Sequence, residues 1–247
     1  MWRAILVAGL AVAANAAVAA ELNVYAAGAV QAAMIELKPV FERDSGHRLM
    51  LTVDTVGALR DRIAKGETPD LIIVSAAALD TLDKAGRLMA GSRRDVGATG
   101  IGLAVPRGAP RPDISTPEKL REALLRAPSL AYADPARGAT AGTHFRKVLD
   151  ELGIAEAVAS KATLVPFGGD GVAAAAEGRV ALAVSQASEI VTHHNVDYVG
   201  PLPPPLQLAT PYGIAAVKPA TPASDALVAL VTGPAGVAAL ARVGFTR

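Results

Sequence analysis

Short apolar runs alternate with amphipathic stretches from Leu22 onward. This alternation is typical of a succession of β-strands and α-helices that builds a mainly parallel sheet. In the first part of the chain it predicts three strands, at 22–26, 48–54 and 71–74. A helix is predicted after each strand, at 29–44, 57–65 and 77–85. Small residues end each strand, so the loops that follow are short.

A second series of strands and helices begins after a strand predicted at 100–105. The glycine- and proline-rich segment 106–110 ends that strand. We expect the chain to cross here into a second lobe. Ser115 is predicted to cap the next helix, with Glu118 three residues later completing a capping box. The pattern beyond it predicts strands at 130–133, 163–166 and 180–184 and helices at 139–152 and 171–177.

Three consecutive prolines within 201–205 mark the predicted return to the first lobe. A long strand is expected at 206–217, followed by helices that begin near Ser224 and Pro234. The pattern therefore predicts an α/β fold of two lobes, with a mainly parallel sheet in each and a cleft between them. The predicted boundaries are 1–20 for a signal peptide, 21–97 with 206–247 for lobe I, and 98–205 for lobe II.

The N-terminal segment has the features of a secretory signal peptide. Arg3 supplies a positive charge, the apolar run after it is too short to span a bilayer, and small residues lie at Val18 and Ala20. Cleavage is expected after Ala20, with Ala16 and Ala19 as alternatives. A membrane anchor is the less favoured interpretation, since no stop-transfer pattern follows. The predicted location is the periplasm.

Composition narrows the classes of ligand. The chain has 24 Lys plus Arg and 23 Asp plus Glu, and the two totals become equal once Arg3 is removed. A neutral protein is a poor binder of nucleic acid. Aromatic residues make up only 4%, which leaves few platforms for stacking bases or sugars. No cysteine is present, so neither disulfides nor a lipidated cysteine can be formed.

The loops expected at the carboxyl ends of the strands share one character, and ligands of open parallel sheets bind at these ends. The segments 26–29, 54–57 and 134–140 are short, consist largely of small or hydroxylated residues, and open into predicted helices. Small residues also begin helices for capping alone. Several such loops facing each other across a cleft predict an anion site made of helix-start N–H groups, without a cofactor.

Several blocks of sequence together resemble the periplasmic molybdate-binding proteins of ABC importers, in matching order over nearly all the chain after the signal peptide. The blocks are Val24-Tyr25-Ala26-Ala27-Gly28, Val56-Gly57-Ala58-Leu59, Pro69-Asp70-Leu71-Ile72-Ile73, Asp134-Pro135-Ala136 with Gly142, and Glu177-Gly178-Arg179-Val180-Ala181. The resemblance implies a type II periplasmic binding fold, hinged by crossover strands, that delivers its ligand to a membrane permease. It also implies a tetrahedral dianion held by serine hydroxyls, main-chain amides and a tyrosine.

The sequence departs from that family at the ligand positions. Gly28 or Ala29 stands where the family has its first serine, Thr55 and Val56 replace its paired serines, and Ser185 aligns with its tyrosine. Each missing donor leaves an anion oxygen unpaired, at a cost of about 1–3 kcal/mol. These departures favour a ligand other than molybdate.

Residues 185–190, with 199–203, resemble a branch of the family that includes aconitate isomerase, an enzyme that moves a proton in a tricarboxylate. Arg137 would suit a planar carboxylate, because its guanidinium binds two oxygens at once. A proton shift also needs an acid–base group, for which Glu189, Asp170 and His144 are candidates. Each has a structural alternative: a helix cap or interlobe contact for Glu189, an N-cap for Asp170, and an exposed helix turn for His144.

The leading prediction is a monomeric, non-catalytic solute-binding protein that captures a small anion, either an oxyanion such as molybdate or a small carboxylate, for an ABC permease. An isomerase that uses Arg137 as anchor and Glu189 as base is the alternative, and a binder that feeds a signalling receptor is a third. No metal site is expected, since the adjacent His193 and His194 seldom converge on one ion. The predicted ligand-binding residues are Gly28, Ala29, Thr55, Ser75, Arg137, Thr140, Gly169, Ser185 and Gln186.

Overall fold

A computed structural model describes residues 19–247 of the chain, so most of the predicted signal peptide, residues 1–18, lies outside the described residues. The first elements are β1 (Glu21–Ala27), α1 (Gln31–Ser45), β2 (Arg48–Asp54), α2 (Val56–Ala64), β3 (Leu71–Ser75), α3 (Ala76–Lys84) and β4 (Arg94–Thr99). The middle elements are β5 (Ile101–Pro106), α4 (Pro117–Arg126), β6 (Leu130–Ala133), α5 (Thr140–Glu151), α6 (Ala155–Ala159), β7 (Ala162–Val165) and α7 (Gly168–Ala176). The last are β8 (Leu182–Gln186), α8 (Ala187–Ile190), β9 (Val196–Pro201), β10 (Thr210–Ala216), α9 (Pro222–Thr232) and α10 (Pro234–Arg242).

These strands form two five-stranded sheets, in the orders β2-β1-β3-β10-β4 and β7-β6-β8-β5-β9. In the first sheet only β10 runs against the other four strands, and in the second only β5 does so. Both reversed strands lie next to the points where the chain passes between the sheets. The predicted α/β fold with two mainly parallel sheets is therefore confirmed.

Each sheet has its own hydrophobic core. Strands β3, β6 and β8 are buried along their whole length, as strands covered by helices on both faces must be. Helices α1, α9 and α10 pack together on the first sheet, and the chain's last turn adds Phe245 against Tyr212 with ring centroids 5.6 Å apart. On the second sheet, Phe145 of α5 packs edge-on against Tyr132 of β6. None of the core clusters of the described residues spans both sheets.

The chain crosses between the sheets at Gly100 and again along residues 202–209. The carboxamide of Gln207 ties the two crossings, because its Nε2 donates to the Ile101 carbonyl at 2.8 Å and its Oε1 accepts from the Ile101 N–H at 2.9 Å. Gln207 lies in the segment predicted as strand 206–217, and because it makes these contacts between the crossings, β10 begins only at Thr210. The lobe boundaries predicted from the sequence stay a prediction.

Some local predictions were wrong. Thr116, and not Ser115, caps α4: its Oγ1 accepts from the Lys119 N–H at 3.3 Å, while the Ser115 N–H is bonded to Asp113. Strands β4 and β9 were missed, because both are partly exposed and poor in regular alternation. Helix α7 starts three residues before its predicted beginning, since the glycines at 168 and 169 form its first turn.

Within residues 19–247, no single helix is long and apolar enough to cross a membrane. Helices α9 and α10 pass that test of length and composition only together, as a pair bent by 55°.

Candidate functional site

Helix starts from both lobes meet at one small cavity. The first lobe contributes the loop between β1 and α1, which contains the 3₁₀ turn Gly28–Val30, and the start of α2; the second contributes the starts of α5 and α7. The cavity has a volume of about 30 Å³, and its walls are Ala27, Gly28, Ala29, Asp54, Thr55, Val56, Ala133, Ala139, Thr140, Ala141, Phe167, Gly168, Gln186, Glu189 and Tyr212. The first N–H groups of a helix have no partner within it and carry the positive end of its dipole. The arrangement can therefore hold negative charge.

The lobes touch through backbone beside this cavity. The Thr55 hydroxyl donates to the carbonyl of Arg137 at 2.6 Å, and the Gly57 N–H donates to the carbonyl of Gly138 at 3.1 Å. A Cβ atom on Gly57 would lie only 2.7 Å from the Cα of Gly138. Glycine at both positions allows these two segments of the chain to approach this closely. The lobes are therefore closed over the cavity.

The carboxyl group of Glu189 lies at the wall of the cavity. It accepts a hydrogen bond from the Ser185 hydroxyl, and the main-chain N–H groups of Gln186 and Gly169 act to lower its pKa. Its Oε1 reaches the opposite lobe, where a Cβ on Gly28 would lie 2.7 Å away. Removal from water is the main cause that raises the pKa of Glu189, and the hydrogen bonds oppose it only in part. The protonated form of Glu189 therefore persists to a higher pH than in an ordinary glutamate.

A neutral polar cluster forms the opposite wall. The hydroxyl of Tyr212, which β10 brings into the cavity, accepts from Gln186 Nε2 at 3.4 Å and is bonded to the Thr140 side chain. Burial raises the pKa of Tyr212, so its hydroxyl stays protonated. Gln186 is 4% exposed, and its Oε1 has no hydrogen-bond partner among the described residues. A buried carbonyl oxygen without a partner is costly, which makes this wall ready to receive a donor from a ligand.

Arg137 lies outside the cavity, in an adjoining groove of about 770 Å³ that also contains Ser75. Its Nε donates to the Pro166 carbonyl at 3.2 Å, its Nη2 is 3.8 Å from Asp54 of the other lobe, and its guanidinium covers the Phe167 ring. The Arg137 side chain is 43% exposed. The lining of the groove has a net positive charge, because Arg60, Arg137 and Lys147 outnumber Asp61, which pairs with Arg60.

The predicted site residues thus fall into three places. Cavity walls contain Gly28, Ala29, Thr55, Thr140 and Gln186. Ser185 and Gly169 lie behind the wall, next to the Glu189 carboxyl group, and the Ser185 hydroxyl donates to it. Arg137 and Ser75 line the basic groove.

The other candidates have local roles. Asp170 is not an N-cap: it accepts from the Phe167 N–H at 3.2 Å from within the first turn of α7. His144 is bonded through Nε2 to the Leu206 carbonyl at 2.8 Å. Residues 19–247 contain no group of three potential metal-ligating His, Cys, Asp or Glu side chains.

The cavity residues that were missed from the sequence include its two aromatic side chains, Tyr212 and Phe167. Tyr212 is one of only four tyrosines, on a strand predicted to return between the lobes, and these two facts are the signal that could have found it. Phe167 gave no such signal, because it follows a strand whose end was predicted one residue too late.

Comparisons with known proteins agree with this architecture. The family described as bacterial extracellular solute-binding protein matches residues 22–246. An aconitate isomerase from a Pseudomonas species is 31% identical over 203 residues, which cover 80% of this chain and 76% of that protein.

Solved structures share the fold at low identity. The periplasmic molybdate-binding protein of Azotobacter vinelandii superposes with a TM-score of 0.75 at 18% identity, over 92% of this chain and 99% of that one. For the tungstate ABC transporter structure from Geobacter sulfurreducens, the TM-score is 0.66 at 19% identity, with 90% and 97% covered.

Proposed function

The chain belongs to the family of bacterial extracellular solute-binding proteins, and from this we propose that it captures a small anion between its lobes for an ABC importer. The observation that carries the proposal is the cavity enclosed by helix starts from both lobes. An enclosed, poorly hydrated site is where neutral donors compete best with water for an anion. The proposed ligand contacts are the N–H groups of Gly28, Ala29 and Val56, the hydroxyl group of Thr55, and the side chains of Thr140 and Gln186.

We also propose that the protein works in the periplasm as a monomer. The N-terminal pattern of Arg3, a short apolar run and small residues near Ala20 supports export. Membership of an extracellular family supports the same location.

A small carboxylate is the ligand class that the site favours. Thr140 lines both the cavity and the basic groove, so a ligand held at the helix starts can extend one group towards Arg137. A guanidinium group matches a planar carboxylate in geometry as well as in charge. The hydroxyl donors that the resemblance implies for a tetrahedral dianion are lacking at Gly28 and Val56.

A thermal-shift panel of the purified protein tests this proposal. Molybdate, tungstate, sulfate, phosphate, citrate, cis-aconitate and trans-aconitate are each titrated, because a ligand that binds only the native state stabilises it by RT ln(1 + [L]/Kd). We expect the carboxylates to raise the melting temperature most. Stabilisation by molybdate alone would contradict the carboxylate class, and no response to any anion would contradict the binding function.

An isomerase of the aconitate type is a second candidate, favoured by the Glu189 carboxyl group at the cavity wall and by the 31% identical relative. In its ionised form Glu189 would take a proton from the CH₂ carbon of cis-aconitate. The electron pair would delocalise over the allylic system and its carboxylate, held by helix-start N–H groups. Return of the same proton to the far allylic carbon would give trans-aconitate, with atoms and charge conserved.

Proton NMR of cis- and trans-aconitate with the protein separates the two functions. A binding protein leaves each isomer unchanged, whereas an isomerase interconverts them. If interconversion is seen, Glu189→Gln should abolish it while aconitate still raises the melting temperature. Retained turnover in that variant would remove Glu189 from the mechanism.

A further inference from the structure

The Glu189 carboxyl group occupies part of the anion cradle itself. It accepts the Ser185 hydroxyl, lies against Gly168 at the start of α7, and faces Gly28 at the 3₁₀ turn that precedes α1 across the interlobe boundary. Gly28 and Gly168 leave the space that it fills, because a Cβ on either would collide with its oxygens. The protein therefore supplies the buried carboxyl group of Glu189 to the place where helix starts from both lobes meet, in addition to that of Asp54, which lines the same cavity and accepts the Thr55 N–H.

A second negative charge at this place is costly. Two like charges a few ångströms apart in a site closed to water repel each other strongly, and the helix-start donors are shared between them. The repulsion is relieved only if the carboxyl group takes up a proton or if the ligand brings less charge to the cradle. A ligand with separated carboxylates meets this condition when one carboxylate enters the cavity and the others stay in the basic groove.

From this geometry we propose that Glu189 determines the charge that the cleft accepts, by excluding tetrahedral dianions and admitting singly charged groups. The inference rests on the proposed anion-binding function and names the residue that selects among anions.

Two anions of the same shape but different charge separate the effect of ligand charge from the effect of ligand shape. Tungstate and perrhenate are tetrahedral oxyanions of similar size that carry two charges and one charge. Binding of both is measured by calorimetry for the wild type, for Glu189→Gln and for the matched control Glu177→Gln, which removes an exposed carboxylate paired with Arg179. We expect Glu189→Gln to raise the affinity for tungstate by about tenfold or more, the factor that one pKa unit represents. Perrhenate should gain less, and the control variant should gain nothing.

A pH series on the wild type gives the same test without a substitution. Sulfate is the probe, since its charge does not change between pH 5 and 8, and we expect it to bind more tightly as pH falls and Glu189 takes up a proton. The other titratable or charged groups on the elements around Glu189 are Asp54, Arg137, Asp170, His193 and Tyr212. The part of the pH dependence that Glu189→Gln removes is the part assigned to Glu189.

The inference is overturned if Glu189→Gln and the wild type bind tungstate equally and if sulfate binding is the same at both ends of the pH series. Such a result with carboxylates still binding would leave the proposed function intact. Failure of every anion to bind any form would overturn both.

Discussion

Gly57→Ala should weaken ligand binding without weakening the fold. Gly57 lies in the first turn of α2, with a backbone conformation that alanine adopts easily. Its new Cβ would lie 2.7 Å from the Cα of Gly138 and 3.1 Å from the Arg137 carbonyl oxygen, so the lobes must separate. Since carbon atoms pack at roughly 3.5–4.0 Å, the displacement needed at this point is about 1 Å.

That displacement breaks or stretches the two hydrogen bonds that join the lobes, from Gly57 to Gly138 and from Thr55 to Arg137. Each is worth about 0.5–1.5 kcal/mol, so the closed form loses about 1–3 kcal/mol. If ligand is held only in the closed form, its affinity falls by about 5- to 150-fold. In the unliganded protein alanine should stabilise α2 by up to about 1 kcal/mol, because glycine is the poorer helix former.

Calorimetry with the tightest anion of the panel measures the affinity, small-angle scattering measures closure, and urea unfolding measures stability. Ala64→Gly, at an exposed site in the last turn of the same helix, is the control: it should lower stability and leave affinity unchanged. A Gly57→Ala protein that binds ligand as tightly as the wild type would refute the reasoning, because the contact would then be absent from the liganded state.

Three further predictions concern single side chains. Arg137→Ala should weaken carboxylate binding by about tenfold or more while changing the free energy of unfolding by less than about 0.5 kcal/mol, since the guanidinium is partly exposed; equal affinity by calorimetry would remove Arg137 from the site. Tyr212→Phe should lower the free energy of unfolding by about 1 kcal/mol, because Gln186 loses its partner; an unchanged urea midpoint would contradict this. Glu189 should make stability fall as pH rises: its pKa is raised in the native state above the ordinary 4.5, so its contribution is complete below that value and is lost as pH passes the raised pKa. Urea unfolding across pH 4–8 should show a decline that Glu189→Gln lacks, and parallel curves for the two proteins would be evidence against the raised pKa.

Most of the fold could be predicted from the sequence, because hydrophobic periodicity and helix-breaking residues are features of short segments. The strands at 48–54 and 130–133 were predicted to the residue, and the helices after β1, β2 and β3 to within two residues. β4 was missed because it is partly exposed and lacks a regular alternation of apolar and polar residues, so no local window identifies it as a strand.

Part of the candidate site was predictable for the same reason. Gly28, Thr55 and Thr140 lie in loops whose small or hydroxylated residues open helices, and the rule that ligands bind beyond strand ends selects those loops from the sequence. Arg137 was assigned to the ligand by residue type alone. In the structure it lies in the adjoining groove, because the turn at 135–137 directs its side chain towards Asp54 and the Pro166 carbonyl.

The sequence by itself determined the two-lobed α/β class and the short loops at the strand ends, because hydrophobic periodicity and turn residues can be recognised within short windows. Only the tertiary structure decided what those loops enclose. It brings Tyr212 of the first sheet against Gln186 of the second, sets Gly57 against Gly138, and buries Glu189 beside Gly28. Such contacts depend on how two separately folded lobes meet, and that relation is set by packing across the whole chain.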